Sequence, residues 1–100
     1  MRRLVVGPAA YSDIGSAALW YEDRSAGLGR DFLRSVDAAL AQVQRTPQIF
    51  PVVHRSIRRA ILRRFPYAIY FVVTDDDITQ VIACTHMHRD SKQWRKRAGG

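Results

Sequence analysis

The residues with the most evident chemistry lie in the second half of the chain. Arg55, Arg58, Arg59, Arg63 and Arg64 follow one another closely, and Arg89, Lys92, Arg95, Lys96 and Arg97 crowd the C-terminal stretch. A guanidinium is a planar fork of donors that meets a carboxylate or a phosphate two bonds at a time. Fourteen of the sixteen basic residues are Arg, against nine acidic residues, for a net charge of +7. That density exceeds what solubility needs. It predicts a groove for phosphates or for an acidic peptide. The competing reading is a solvated edge strand guarded by charge against pairing with another chain.

The run Thr85-His86-Met87-His88-Arg89-Asp90 is the second constellation. In extended geometry His86 and His88 share a face. A metal site would need a third ligand, and none is signalled. The pair has the chemistry for acid and base in RNA cleavage. The plainer reading has Asp90 capping the C-terminal turn and pairing with an Arg. Among the aromatics, Phe65, Tyr67, Tyr70 and Phe71 offer rings for base stacking. However, Tyr67, Ile69, Phe71 and Val73 alternate as one face of a central strand, which predicts core. Trp94 either stacks on a ligand or seals the end of the sheet. Asp75-Asp76-Asp77 reads as a hairpin turn, not a metal site.

The rest of the composition narrows the class. One hundred residues make one domain, spanning 1–100, and 47% hydrophobic with 25% charged residues is the balance of a folded globular chain. Apolar runs are only a few residues long, so no membrane helix is expected. The N-terminal Met1 to Pro8 has too short an apolar stretch for a signal peptide. A single cysteine, Cys84, excludes an intrachain disulfide and any zinc site with two thiolates. The expected compartment is the cytoplasm. There is no phosphate-binding Gly-rich loop, H-E-x-x-H or nucleophile elbow, and no cofactor is called for.

The elements that must position these residues follow from periodicity. Arg2 to Val6 reads as a strand, ended by Gly7-Pro8, with Pro8 at the first helical position. Ala9 to Asp23 reads as a helix whose Ala10, Ile14, Ala17, Ala18 and Tyr21 share an arc, extended by Tyr11. Leu19 and Trp20 fall outside it. After an Arg24-to-Gly27 turn, Leu28 to Arg45 is strongly amphipathic, with Leu28, Phe32, Val36, Ala39, Leu40 and Val43 on one face and Leu33 at its edge. The two helices read as an antiparallel hairpin, and Thr46-Pro47 ends the second. Ile57 to Phe65, Tyr67 to Thr74 and Ile78 to His86 read as an antiparallel meander. Asp90 to Arg97 is a short basic helix or turn, and Ala98-Gly99-Gly100 is expected to fray. The expected fold is α+β, two-layer, in the order β-α-α-β-β-β with a short C-terminal helix. Arg59 and Arg63 are expected on one sheet face, and Arg58 and Arg64 on the other. Charges on the helix-covered face must then sit at its margins, and the rest line the open face.

Read in order, Trp20-Tyr21-Glu22, Gly27-Leu28-Gly29-Arg30-Asp31-Phe32, Arg63-Arg64-Phe65-Pro66-Tyr67-Ala68-Ile69-Tyr70 and His86-x-x-Arg89-Asp90 with Trp94 resemble the RelE/ParE superfamily of bacterial toxins. The resemblance spans nearly the whole chain. It implies the toxin half of a type II toxin–antitoxin module, often labelled a plasmid-stabilisation protein. A co-expressed antitoxin would hold it inactive by wrapping it with a C-terminal segment. RelE-like members cut mRNA in the ribosomal A site, whereas ParE-like members have no known nuclease activity and poison DNA gyrase.

Departures from the RelE pattern favour the ParE-like branch. RelE-like ribonucleases carry an Arg just after the Tyr that opens the central strand, and here that residue is Ala68. Their basic or His group at the end of the last strand is matched by Met87, flanked by His86 and His88, and Trp94 stands near the place of their late Tyr. Ala68 and Met87 supply no cation to a phosphate transition state. In the ParE-like reading Arg63, Arg64, Arg89, Trp94, Arg95 and Arg97 form the target-binding surface. The antitoxin, acidic and amphipathic, contacts Leu19, Trp20, Arg58 and Arg59, in a possible hetero-oligomer. Leu19 and Trp20 also suit a dimer, and a covering loop or C-terminus is the alternative. In the RelE-like alternative, a ribosome-dependent mRNA interferase, His86 or His88 is general acid and Arg59, Arg63 and Arg89 bind the phosphate. A third possibility is an inactive homologue that binds only antitoxin.

Overall fold

The computed structural model describes residues 3–89 and 91–97. Its elements are β1 (Arg3–Val6), α1 (Pro8–Arg24), α2 (Leu28–Arg45), a 3₁₀ turn (Pro47–Ile49), β2 (Val52–His54), β3 (Ile57–Ile61), β4 (Tyr67–Val73), β5 (Ile78–His86) and α3 (Lys92–Arg97). The strands form one sheet in the order β1-β5-β4-β3-β2. β2 to β5 pair antiparallel, and β1 lies parallel to β5 with Arg3 opposite Ile78. The α+β, two-layer layout expected from periodicity is present, with one strand more than expected. β2 escaped notice because it is only three residues, Val52-Val53-His54, set between Pro51 and a turn at Arg55.

The helical hairpin forms for a local reason. Gly27 holds φ 90°, a left-handed conformation that costs a residue with a Cβ roughly 1–2 kcal/mol. The Glu22 carboxylate accepts the N–H of Gly27 at 3.0 Å through Oε2 and of Gly29 at 3.0 Å through Oε1. One side chain from the last turn of α1 thus satisfies donors at the start of α2 that would otherwise lack partners. At Gly29 the helices nearly touch, since a Cβ there would lie 2.7 Å from the Ala18 carbonyl oxygen.

The hairpin packs on one sheet face. Phe32, Val36 and Val43 from α2 meet Ile69, Phe71 and Val81 from the sheet, all almost fully buried. Each such side chain contributes about 1.5–3 kcal/mol by leaving water. Tyr21 stacks on Phe32 and meets Phe65 and Tyr67 edge-on, so the alternating Tyr67, Ile69, Phe71, Val73 face is core. Tyr11, expected to extend the buried arc of α1, is instead 74% exposed.

Two expectations about the basic strand are corrected. β3 ends at Ile61, not Phe65, because the Leu62 N–H turns to the Tyr67 carbonyl and Arg64 takes up φ 71°. Arg63 and Arg64 therefore sit in a turn, and strand alternation does not assign their faces. The sheet face away from the hairpin is also not a bare Arg-lined surface. Trp94 of α3 lies over it with Ile57, Ala68, Tyr70, Ile82 and Ala83 as a second apolar cluster. The expected cap at Asp90, the fraying of Ala98 to Gly100 and the start of β1 at Arg2 fall outside the described residues.

Candidate functional site

One end of the sheet collects much of the chemistry singled out above. The Met87 N–H donates to the Pro66 carbonyl at 2.9 Å, which brings the β3–β4 turn against the end of β5. His86 lies opposite Tyr67, with ring centroids 5.4 Å apart, and His88 lies 5.3 Å beyond His86. The His88 N–H donates to His86 Nδ1 at 3.1 Å, which occupies that lone pair. Burial pushes the Tyr67 phenol up from its ordinary value, while the charge of Arg89 acts the other way. Arg89, Tyr67 and Trp20 border a groove of about 320 Å³ together with Asp13, Ser16 and Cys84. Arg24 covers the Trp20 ring at 4.3 Å, a cation–π contact that steadies an exposed indole.

The geometry does not assemble the full ribonuclease set. His86 pairs across the sheet with Tyr67, whose ring packs on the hairpin residues Tyr21 and Phe32. Arg59 pairs with Tyr70, whose ring lies under Trp94 on the other face. His86, His88 and Arg89 share one end with Arg63 on the neighbouring turn, but Arg59 and His86 lie on opposite faces. Ala68 is fully buried and Met87 is 36% exposed, so the two places where an RelE-type cation is expected hold a methyl group and a thioether.

Other expected binding residues are built into the fold. Arg58 Nη1 donates to the Phe50 carbonyl at 2.6 Å and to the Gln48 carbonyl at 3.3 Å, holding the 3₁₀ turn over the sheet margin. Arg97 Nη1 donates to Asp13 Oδ2 at 2.5 Å and to the Ile82 carbonyl at 3.1 Å. Asp13 Oδ2 also accepts the Cys84 N–H at 3.0 Å. β1 pairs with β5 only as far as Val81, so this ion pair occupies the backbone edge of β5 where β1 has ended. Trp94 is buried, stacked on Tyr70, and seals the sheet. Arg95, 5.7 Å from the Trp94 ring centroid, is exposed, as are Arg63, Arg64 and Arg89. Burial pushes His54 below its ordinary range, and the charges of Arg95 and Arg55 add to that.

A second surface lies on the outer side of the hairpin. A largely apolar groove of about 800 Å³ runs between α1 and α2, lined by Tyr11, Ile14, Leu19, Leu33 and Leu40, with Glu22, Arg30 and Asp37 also on it. Leu19 is 70% exposed and Trp20 49%. Leu19 lines this groove and Trp20 the one beside Arg89, so the pair serves two surfaces. Tyr11 and Leu33 were missed as surface residues, although Leu33 at the edge of its helical arc was the available signal. The structural duties of Asp13 and Glu22 had no signal in spacing, because Glu22 is held by backbone N–H groups and Asp13 by a backbone N–H and an arginine far along the chain. Among the described residues, no three His, Cys, Asp or Glu side chains come close enough to hold a metal, and no helix is long and apolar enough to cross a membrane.

No family model matches the chain, and no curated protein does. A solved structure described as the chromosomal ParDE TA system from P. aeruginosa is similar, with a TM-score of 0.64 and 20% identity. The likeness covers 86% of this chain and 96% of that one. It shows a shared fold, in line with the architecture expected from the sequence motifs.

Proposed function

We propose that this chain is the toxin of a toxin–antitoxin pair, a ParE-like growth inhibitor that acts on DNA gyrase in the cytoplasm and is neutralised by a cognate antitoxin. The observation that carries the reading is the fold likeness to the ParDE TA system over nearly the full length of both chains. The residues favour the non-nucleolytic branch, because Ala68 and Met87 supply no cation to a scissile phosphate and Arg59 lies across the sheet from His86. The exposed Arg63, Arg64, Arg89 and Arg95 supply an electrostatic surface for the target. The apolar hairpin groove, with Leu19 in it, fits an amphipathic helix of the antitoxin laid in by its apolar face. Trp20, Arg58 and Arg59 complete the antitoxin contact, and Trp94 and Arg97 support the target surface from beneath.

The test is to induce the chain alone and with its genomic neighbour, following plasmid supercoiling and mRNA integrity separately. The expected result is growth arrest with loss of gyrase supercoiling and intact mRNA, relieved by the neighbour. Rapid codon-linked mRNA cleavage with normal supercoiling, abolished by the His86→Ala and His88→Ala double variant, would establish the interferase instead.

A further inference from the structure

The outer flank of α2 and the β3–β4 turn enclose another concavity, of about 380 Å³, which the hairpin groove does not reach. α2 turns Leu33, Asp37 and Leu40 toward the hairpin groove and Arg34, Ala38 and Gln42 toward this notch. Arg34, Arg63 and Arg64 stand around it, and Ala38, Ala39 and the 52% exposed Ile61 give it an apolar floor. Ser35 Oγ donates to the Arg63 carbonyl at 2.9 Å, which pins the turn to the helix and fixes the three stems around one space. Asp31 also lines the notch. Among the described residues no carboxylate lies within salt-bridge distance of Arg34, Arg63 or Arg64. Arg64 also holds φ 71°, a left-handed conformation ordinarily left to Gly or Asn. A costly backbone state at an exposed cation points to a use for that side chain.

We propose that this notch binds an acidic, partly apolar peptide segment of a partner protein. Its carboxylates meet Arg34, Arg63 and Arg64, and an apolar side chain rests on Ala38 and Ile61. Charge complementarity names the acidic part, since three guanidinium groups with no carboxylate partner face one cavity, Arg64 resting only over the Phe65 ring at 6.0 Å. The apolar floor selects peptide over nucleic acid: no ring lines the notch for a base to stack on, and a phosphate backbone gains nothing from Ile61. The proposal rests on the reading above only in that the partner is a protein with an acidic segment.

The experiment is fluorescence anisotropy on the purified chain with a labelled eight-residue peptide of alternating Glu and Leu. A Gln/Leu peptide and an eight-nucleotide single strand of DNA are the companion probes. Saturable binding of the Glu/Leu peptide and none of the Gln/Leu peptide are expected. The Arg34→Gln, Arg63→Gln double variant should weaken binding roughly fivefold or more. The Arg3→Gln, Lys96→Gln pair, which removes the same charge at exposed positions away from the notch, should leave it within about twofold. Ala38→Glu keeps every guanidinium and the helix, places a carboxylate on the floor, and should abolish binding. Equal loss in both double variants, unchanged binding by Ala38→Glu, or equal displacement by the DNA would overturn the proposal. No antitoxin, gyrase or cell enters this titration, so its failure is distinct from a failure to arrest growth.

Discussion

Trp94 lies flat on Tyr70, with ring centroids 4.2 Å apart and planes 14° from parallel. This stack, together with the Arg97 bonds to Asp13 and the Ile82 carbonyl, fastens a six-residue helix, too short to be stable by itself, over the sheet face that the hairpin leaves uncovered. Trp94→Ala is expected to cost about 3–5 kcal/mol, a large part of the stability of a domain this size. Thermal melts should show a fall of roughly 12 °C or more. Trp94→Phe, which keeps a ring on Tyr70, should recover most of it. A melt unchanged by Trp94→Ala would mean that the Trp94 stack adds nothing to the fold.

The Glu22 clasp carries a pH signature. Backbone N–H groups of Gly27 and Gly29 hold its carboxyl below the ordinary value of 4.5. A depressed folded value means stability that is fully present above the ordinary value of 4.5 and is lost as the pH falls from there through the depressed value. Wild-type melting temperature should therefore drop more steeply in acid than that of Glu22→Gln, with the two curves converging at low pH. Parallel curves would remove the clasp from the account. Gly29→Ala should destabilise at every pH, by about 1–3 kcal/mol, because its Cβ meets the Ala18 carbonyl.

Arg64→Gly is expected to stabilise the chain. Glycine adopts φ 71° at little cost, so the variant should gain about 1 kcal/mol and melt several degrees higher. The same variant should bind the Glu/Leu peptide more weakly. A rise in stability with loss of binding is the pattern of a strained residue kept for its side chain.

The hairpin was the most legible part of the sequence, because the apolar arc of α2 repeats over five turns. β4 and β5 were equally clear, since β-branched and aromatic runs bounded by Pro66 and Asp75-Asp76-Asp77 admit few alternatives. The faces of Arg63 and Arg64 were not legible. Alternation counts only while a strand continues, and β3 stops where Arg64 turns left-handed. Nor did the basic tail disclose its double role, in which Trp94 and Arg97 face inward and Arg95 and Lys96 outward. That split depends on a helix only six residues long. The notch beside α2 was also invisible, because Arg34 looked like an ordinary residue of a polar helix face until the turn folded against it.

Leu19→Asp is expected to leave folding unchanged, since the side chain is 70% exposed. Under the proposed function, an antitoxin seated in the hairpin groove should bind this variant roughly tenfold or more weakly, as a charge placed in an apolar groove must shed its water on binding. Isothermal titration of the purified pair checks this. Equal affinity would move the antitoxin off the hairpin.

Cys84 is buried, and loss of water pushes its thiol up to about 12, with the Asp13 carboxylate adding to the effect. The folded chain should react negligibly with a thiol reagent at pH 8, and one equivalent should react promptly in denaturant. Fast labelling of the folded chain would mean that the Asp13–Arg97 clasp opens freely.

The parallel pairing of β1 with β5 has a consequence for synthesis. Arg3 meets Ile78 and Val6 meets Val81, so β1 cannot pair until β5, the strand most distant from it in sequence, has been made. A ribosome must release β2, β3, β4 and β5 before β1 finds its neighbour. Contacts this remote in sequence close slowly. Until they do, a strand-prone segment stays unpaired and one edge of β5 stays open. Under the proposed function, the chain would complete its folded surface only after β5 has been made, which leaves an interval for a waiting partner to reach it first.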